Sequence, residues 1–243
     1  MSRSSSDCAC PRWAAPSWVI PGSVAANAEF LAGRVPAVGL CFYESAACLR
    51  YGAGDLPDAG YARHLSWHIH LPVDLPWQAG AEQVADIAAI LCAKAAFLHP
   101  QAAVLHPPGG RRARKLLARF MHLWDSSVPV ALENVACSDV VSLGLGFLAA
   151  NDFKFCLDVA HAFTYGQWQL LQSPLVAEAI LWHWSAPGDG DRHRPLAGLS
   201  PEERKKAKEL MGKARKDAVH LLEIFDWQGV ENSLPILADL AEC

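Results

Sequence analysis

The stretch CLDVAHAF, residues 156–163, sets Asp158 and His161 among six apolar neighbours. A strand buried on both faces, as in a parallel sheet, reads as a nearly unbroken apolar run. A carboxylate and an imidazole in such a run must be paired, hydrogen-bonded or bound to a metal. Two questions follow: whether other buried strands carry polar groups at the same place, and what neutralises them.

Similar apolar stretches recur along the chain: SWVIP (17–21), AVGLCFYE (37–44), HLSWHIHLP (64–72), AAVLHPP (102–108), PVALENVA (129–136), FKFCLDVAH (153–161), AILWHWSAP (179–187) and AVHLLEIF (218–225). Most start about 20 to 40 residues apart, room for a crossover helix in each gap. The gaps carry helix signals. SPEERKKAKELMGKARKD (200–217) opens on Ser200, with Pro201 at the first helical position and Glu203 three residues after the cap, a capping box. GAEQVADIAAILCAKAAFL (80–98) places Val84, Ile87, Ala88 and Leu91 on one helical face, and SVAANAEFLAGRV (23–35) starts from Ser23 as cap. GGRRARKLLARFMHLW (109–124) carries Arg111, Arg112, Arg114, Lys115 and Arg119, read as a solvated outer face.

Strand followed by helix, eight times, predicts an α/β fold, the parallel (β/α)8 TIM barrel. The length of 243 residues is close to the roughly 250 usual for it. Residues 1–16 (MSRSSSDCACPRWAAP) are polar and contain prolines, and read as a flexible arm. Residues 17–243 read as one barrel domain. Hydrophobic residues make up 52% of the chain, yet no apolar run reaches the 18–20 or so needed to span a bilayer, and the N-terminus lacks the apolar core of a secretory signal. A cytoplasmic location is expected. The eight cysteines are scattered, with only Cys8 and Cys10 close together, and read as reduced core residues rather than a disulfide framework. A net charge of −4 and a pI near 6.2 do not suit a general nucleic-acid binder.

In a TIM barrel the active site is built at the C-terminal ends of the strands. There the third stretch carries His68 and His70, the fourth His106, the fifth Glu133 and Asn134, the sixth Asp158 and His161, the seventh His183 with Asp191 and His193 in its loop, and the eighth Glu223. Each alone has an ordinary explanation: a hydrogen-bonded histidine, a helix cap at Asp158, a turn at Asp191. Together they converge on one mouth, where almost no Lys or Arg is available to pair with the carboxylates. Metal ions can neutralise them. Imidazole and carboxylate without thiolate suit zinc, manganese or iron at a catalytic site. Five histidines and four carboxylates exceed the four to six or so ligands one ion takes, so two or three ions are expected, with a bridging carboxylate. Such a cluster activates water and clamps the attacking and leaving oxygens of an in-line phosphoryl displacement.

The ordered set His70-Leu-Pro, His106-Pro, Leu132-Glu133-Asn134, Cys156-Leu-Asp158-x-x-His161-Ala-Phe, His183, Asp191-Arg-His193 and Leu222-Glu223 resembles the endonuclease IV-like branch of the xylose isomerase-like TIM barrels. The resemblance runs from the third stretch to the eighth. It implies one metal on His70, His106 and Glu133, a second on Glu133, Asp158, His183 and Glu223, and a third on His161, Asp191 and His193, with Glu133 and Glu223 as the catalytic carboxylates and zinc as the favoured metal. HIHLPVDLPW (68–77), VLHPP (104–108) and WSAPGDGDRHRPL (184–196) are similar to the cobamide-remodelling phosphodiesterases of the CbiR type. That resemblance implies hydrolysis of the nucleotide-loop phosphodiester of a cobamide, releasing an α-riboside and adenosylcobinamide phosphate. Its small-molecule substrate would be met by His68, Asp74, Trp77, Tyr165 and Trp184, with Trp67 and Trp227 also near the mouth; no nucleic acid or membrane partner is expected. Two alternatives share the frame. An apurinic-site endonuclease would need basic loops, and a single-metal sugar isomerase or epimerase would use Glu133, Asp158, His183 and Glu223 and leave five other ligand-type residues unused.

Overall fold

A computed structural model describes residues 12–188 and 192–242. Eight parallel strands close into a barrel in sequence order: β1 (Arg12–Pro16), β2 (Ala37–Cys41), β3 (Ser66–His70), β4 (Ala103–Leu105), β5 (Val130–Glu133), β6 (Lys154–Asp158), β7 (Ala179–Trp184) and β8 (Val219–Leu222). β1 pairs with both β2 and β8, which seals the cylinder. Seven strands lie inside the apolar stretches named above. The first does not. It is Arg12–Pro16, within the segment expected to be an arm, and SWVIP (17–21) is the loop that follows. That loop is pinned rather than paired along its length: the Asn27 side chain accepts from the backbone N–H groups of Val19 and Ile20, and Ser17 Oγ accepts from the Cys41 N–H. Cys8 and Cys10 lie outside the described residues.

Helices fill the gaps as the caps require. Ser200 caps Pro201–Met211 with both halves of the capping box formed, and Ser23 caps Val24–Leu31. Ala81–Lys94 turns Val84, Ile87, Ala88 and Leu91 inward. Ala113–Leu123 buries Ala113, Leu117 and Phe120, leaving Arg111, Arg112, Arg114 and Lys115 exposed, as a charged outer face requires. No described helix is long and apolar enough to cross a membrane.

The barrel interior is packed with small and branched residues, including Ala14, Ala37, Val104, Ala131, Leu181 and Leu221. A larger apolar layer lies between sheet and helices. Strand alternation decides which layer a side chain joins. His183 points inward, so its neighbours Trp182 and Trp184 point outward, where their rings stack at 5.6 Å and 9° with His220 beside them. Trp184 is fully buried there and donates from Nε1 to His220 Nδ1 at 3.0 Å. It does not face the mouth, and the expectation that it touches substrate is corrected. Trp67 is likewise buried in the outer layer, donating to the Ala62 carbonyl, and Trp227 packs edge-on against Phe30 between helices.

Candidate metal centre

His70 ends β3, Glu133 ends β5, Asp158 ends β6, and His183 lies one residue before the end of β7; Glu223 follows β8 directly and His106 follows β4 directly. All turn into the mouth, and Glu133 occupies its centre. Its two carboxylate oxygens face different imidazoles. Oε2 lies 3.1 Å from His70 Nε2 and 3.2 Å from His106 Nε2; Oε1 lies 3.4 Å from His183 Nδ1 and 3.4 Å from His161 Nδ1. Glu223 Oε2 approaches His183 Nδ1 at 3.0 Å and His193 Nδ1 at 3.8 Å.

Several of these atoms are close but unsatisfied. Glu133 Oε1, Asp158 Oδ2, Glu223 Oε2 and both ring nitrogens of His183 are buried without a hydrogen-bond partner. Buried polar groups are ordinarily satisfied, and a cluster of exceptions needs a cause. A cation supplies it. Ligand atoms of Glu133, Asp158, His183 and Glu223 lie within 4.8 Å of one another, as do those of His70, Glu133 and His183. The first group is the tetrad expected for the second metal. His106 joins His70 on the same Glu133 oxygen, which brings together the trio expected for the first. For the third, His161 and His193 have ring centroids 6.0 Å apart, while Asp191 lies outside the described residues. The residues present therefore fit divalent ions.

Local structure orients each donor. His70 donates from Nδ1 to the Leu71 carbonyl at 2.8 Å, which turns Nε2 toward Glu133; His161 donates from Nδ1 to the Asn134 carbonyl at 2.9 Å. Backbone partners of this kind fix the tautomer of a ligating histidine. Asp158 resolves the question posed by its own stretch. Oδ1 caps the following helix, Val159–Thr164, by accepting from the His161 N–H, and Oδ2 is left for a ligand. Asn134 locks β5 to β6: its Nδ2 donates to the Asp158 carbonyl at 2.9 Å and its Oδ1 accepts from the Asp158 N–H at 2.8 Å. An amide directly after a strand-end glutamate is the one sign of this role that Asn134 gives in the sequence.

Burial raises the Asp158 carboxyl to about 6. It also pushes Glu133 upward, but the surrounding imidazoles, His183 foremost, outweigh it and hold that carboxylate well below its usual range. Burial pushes the Cys41 and Cys156 thiols up to about 12, and neither belongs to the ligand groups among the described residues. The donor set is thus imidazole and carboxylate, as expected.

The residues assigned to substrate divide. Trp77 and Tyr165 line a groove of about 650 Å³ beside the cluster, with Trp77 Nε1 donating to the His106 carbonyl. Asp74 is engaged by the start of the short helix Ser45–Leu49, accepting from both the N–H and the hydroxyl of Ser45 at 2.8 Å. His68 does not reach the mouth. It shares the inward face of β3 with His70 but sits one layer deeper, 2% exposed, with Nε2 unpartnered. A Cβ on Gly39 would lie 2.8 Å from that nitrogen, so the glycine makes the space this imidazole fills. Burial lowers its pKa to about 3, so it is neutral.

No protein-family model matches the chain, and neither does any curated protein. Solved structures do. Endonuclease IV from Thermus thermophilus matches with a TM-score of 0.69 and 19% identity over 96% of this chain and 99% of that one. A D-tagatose 3-epimerase-like protein matches at 0.70 and 14%, covering 95% and 97%, and the IolI protein with a bound zinc atom at 0.70 and 13%, covering 95% and 98%. The likeness establishes the fold, a (β/α)8 TIM barrel shared with these structures. One of these neighbours is an endonuclease, and another holds a zinc atom.

Proposed function

We propose that this protein is a metal-dependent phosphodiesterase that hydrolyses the nucleotide-loop phosphodiester of cobamides. The observation that carries the metal-dependent phosphodiesterase is the placement of Glu133. A carboxylate with one oxygen toward His70 and His106 and the other toward His183 and His161 is arranged to be shared between two ions. A single-metal isomerase has no use for the His70–His106 side.

Bound divalent ions would lower the pKa of a water toward about 7 and offset charge building on the phosphate oxygens. The chain's own residues do the rest. Glu133 sets the spacing between the two halves of the cluster. Glu223 stands between His183 and His193, whose imidazoles hold its carboxylate well below the usual range, so that it stays charged as a ligand. Asn134 and the helix cap hold Asp158 rigid, so its open oxygen need not reorganise during turnover.

The choice of a cobamide over nucleic acid rests on the walls. DNA contacts are made largely through phosphates and draw on Lys and Arg. Val73, Trp77 and Tyr165 on one side of the mouth, and Tyr43 and Phe225 on the other, present apolar and aromatic surface, with Arg112 the one Lys or Arg in the described lining. The test is chromatographic. Protein loaded with zinc or manganese is incubated with adenosylcobalamin and, separately, with an abasic duplex. Cobinamide phosphate with little cut strand is the expected result. Efficient strand cutting without any cobamide product would transfer the assignment to the endonuclease reading.

A further inference from the structure

The basin holding the ligand cluster is about 80 Å³, room for ions and a few waters but not for a large substrate. It opens on two sides. Toward β4, β5 and β6 it is continuous, through Val73, His106 and His161, with the 650 Å³ groove. Toward β1, β2 and β8 it is continuous, through Tyr43 and Phe225, with a second depression of about 600 Å³.

The two differ in chemistry. The groove has aromatic and proline walls, with Trp77 and Tyr165 on one part and Pro107 and Pro108 on another. Two polar side chains, Gln78 and Arg112, can reach a ligand's hydroxyls or ring nitrogens. The second depression is a shelf of Trp18, Ile20, Pro21, Tyr43 and Phe225. Tyr43 and Phe225 meet edge to face at 5.8 Å, and Tyr43 is 49% exposed. No Lys or Arg lies in its described lining, and its one carboxylate, Asp226, caps the helix Trp227–Leu240.

We infer that the substrate is bound across the basin with its two halves on opposite sides: the riboside and its heterocyclic base in the Trp77–Tyr165–Arg112 groove, and the large macrocycle against the Trp18–Ile20–Tyr43 shelf. This rests on the phosphodiesterase reading and adds the orientation of the diester. A flat base fits between aromatic and proline walls, and Gln78 and Arg112 there can meet the ribose hydroxyls. A macrocycle is too broad for a groove but can lay one face on an open apolar shelf. The shelf also disfavours a polynucleotide, whose next phosphate would meet apolar surface and Asp226 with no cation.

The experiment separates the two claims. Wild-type, metal-loaded protein is first assayed on adenosylcobalamin; absence of cobinamide phosphate would overturn the activity reading itself. With turnover established, inhibition constants are measured for each product half, the α-riboside of dimethylbenzimidazole and cobinamide phosphate. Tyr165→Ala, which loses a stacking contact, and Arg112→Ala, which loses a charged hydrogen-bond partner, should each weaken the riboside by roughly tenfold and leave cobinamide phosphate within about twofold. Ile20→Asp and Tyr43→Ser should do the reverse. Tyr165→Phe, which keeps the ring, should bind riboside as wild type does, which separates loss of stacking from loss of fold. Crossed effects, or equal loss for both halves in folded variants, would overturn the orientation while leaving the activity in place.

Discussion

Glu133 is the residue on which the centre depends, because each of its oxygens faces a different pair of imidazoles. Glu133→Gln keeps its shape but removes the charge, and replaces one oxygen by an NH2 that repels a cation. Activity should fall at least about a hundredfold, the scale of losing one preorganised electrostatic contact, and elemental analysis should find at least one ion fewer per chain. Wild-type turnover with full metal content would remove the bridge from the mechanism. His68 and His70 test the depth of the site. His70→Ala should lose metal. His68→Ala should keep it and lose stability instead, since it empties a filled space beneath the cluster. Metal loss from His68→Ala with retention in His70→Ala would place the centre one layer deeper. The strand-end ligands were legible in the sequence because polar residues in apolar runs stand out. Trp184 was misread although its position was available: with His183 inward, alternation sends its neighbours to the helix side.

At the scale of elements, the contact between β7 and β8 carries a pH dependence of its own. His220 is buried against Trp182 and Trp184 and accepts a hydrogen bond from Trp184, and burial lowers its pKa to about 4. The folded state therefore binds fewer protons than the unfolded chain between about 6.5 and 4. Stability from this group is present above pH 6.5 and is lost as pH falls toward 4, at most about 3 kcal/mol. His220→Gln retains an acceptor for Trp184 without a titrating ring. Its melting temperature should fall less than that of the wild type between pH 7 and pH 4.5, though it starts lower; parallel pH profiles would refute the assignment. Seven of eight strands could be read from apolar runs and turn signals. The first could not, because RWAAP is mostly small residues and the β-branched pair Val19–Ile20 just beyond it looks more strand-like. Closure of the sheet, a tertiary effect, outweighed local propensity.

At the scale of the whole molecule, the cluster ties six of the eight strands to one set of charges. Protein purified without chelator should hold more than one equivalent of transition metal per chain, read by elemental analysis; one or less after reconstitution with zinc and manganese would favour the single-metal alternative. Removing the metal should lower the melting temperature by about 5–10 °C where the free metal had been a hundredfold above its dissociation constant. The grooves beside the basin were only partly legible. Trp77 and Tyr165 could be named from loop composition, but the pairing of Trp18 with Phe225, and of Arg112 with Trp77 and Tyr165, comes from segments far apart in sequence. A local reading cannot join them.

The seam between β1 and β8, with Arg12 opposite Val219 and Ala14 opposite Leu221, has a consequence for how the protein is made. At ribosomal rates of about 5–20 residues per second, β1 emerges roughly 10–40 s before the strand that completes it. Throughout that interval the nascent sheet has an unpaired edge, and unpaired edges recruit other chains. Glu133 and Asp158 meet on the neighbouring strands β5 and β6, but Glu223 joins them only once the last strand docks, so the cell must shelter an open sheet with an incomplete ligand cluster until its final segment arrives. Expression at lower temperature or with abundant chaperone should therefore raise the soluble yield more than any change to the mature surface.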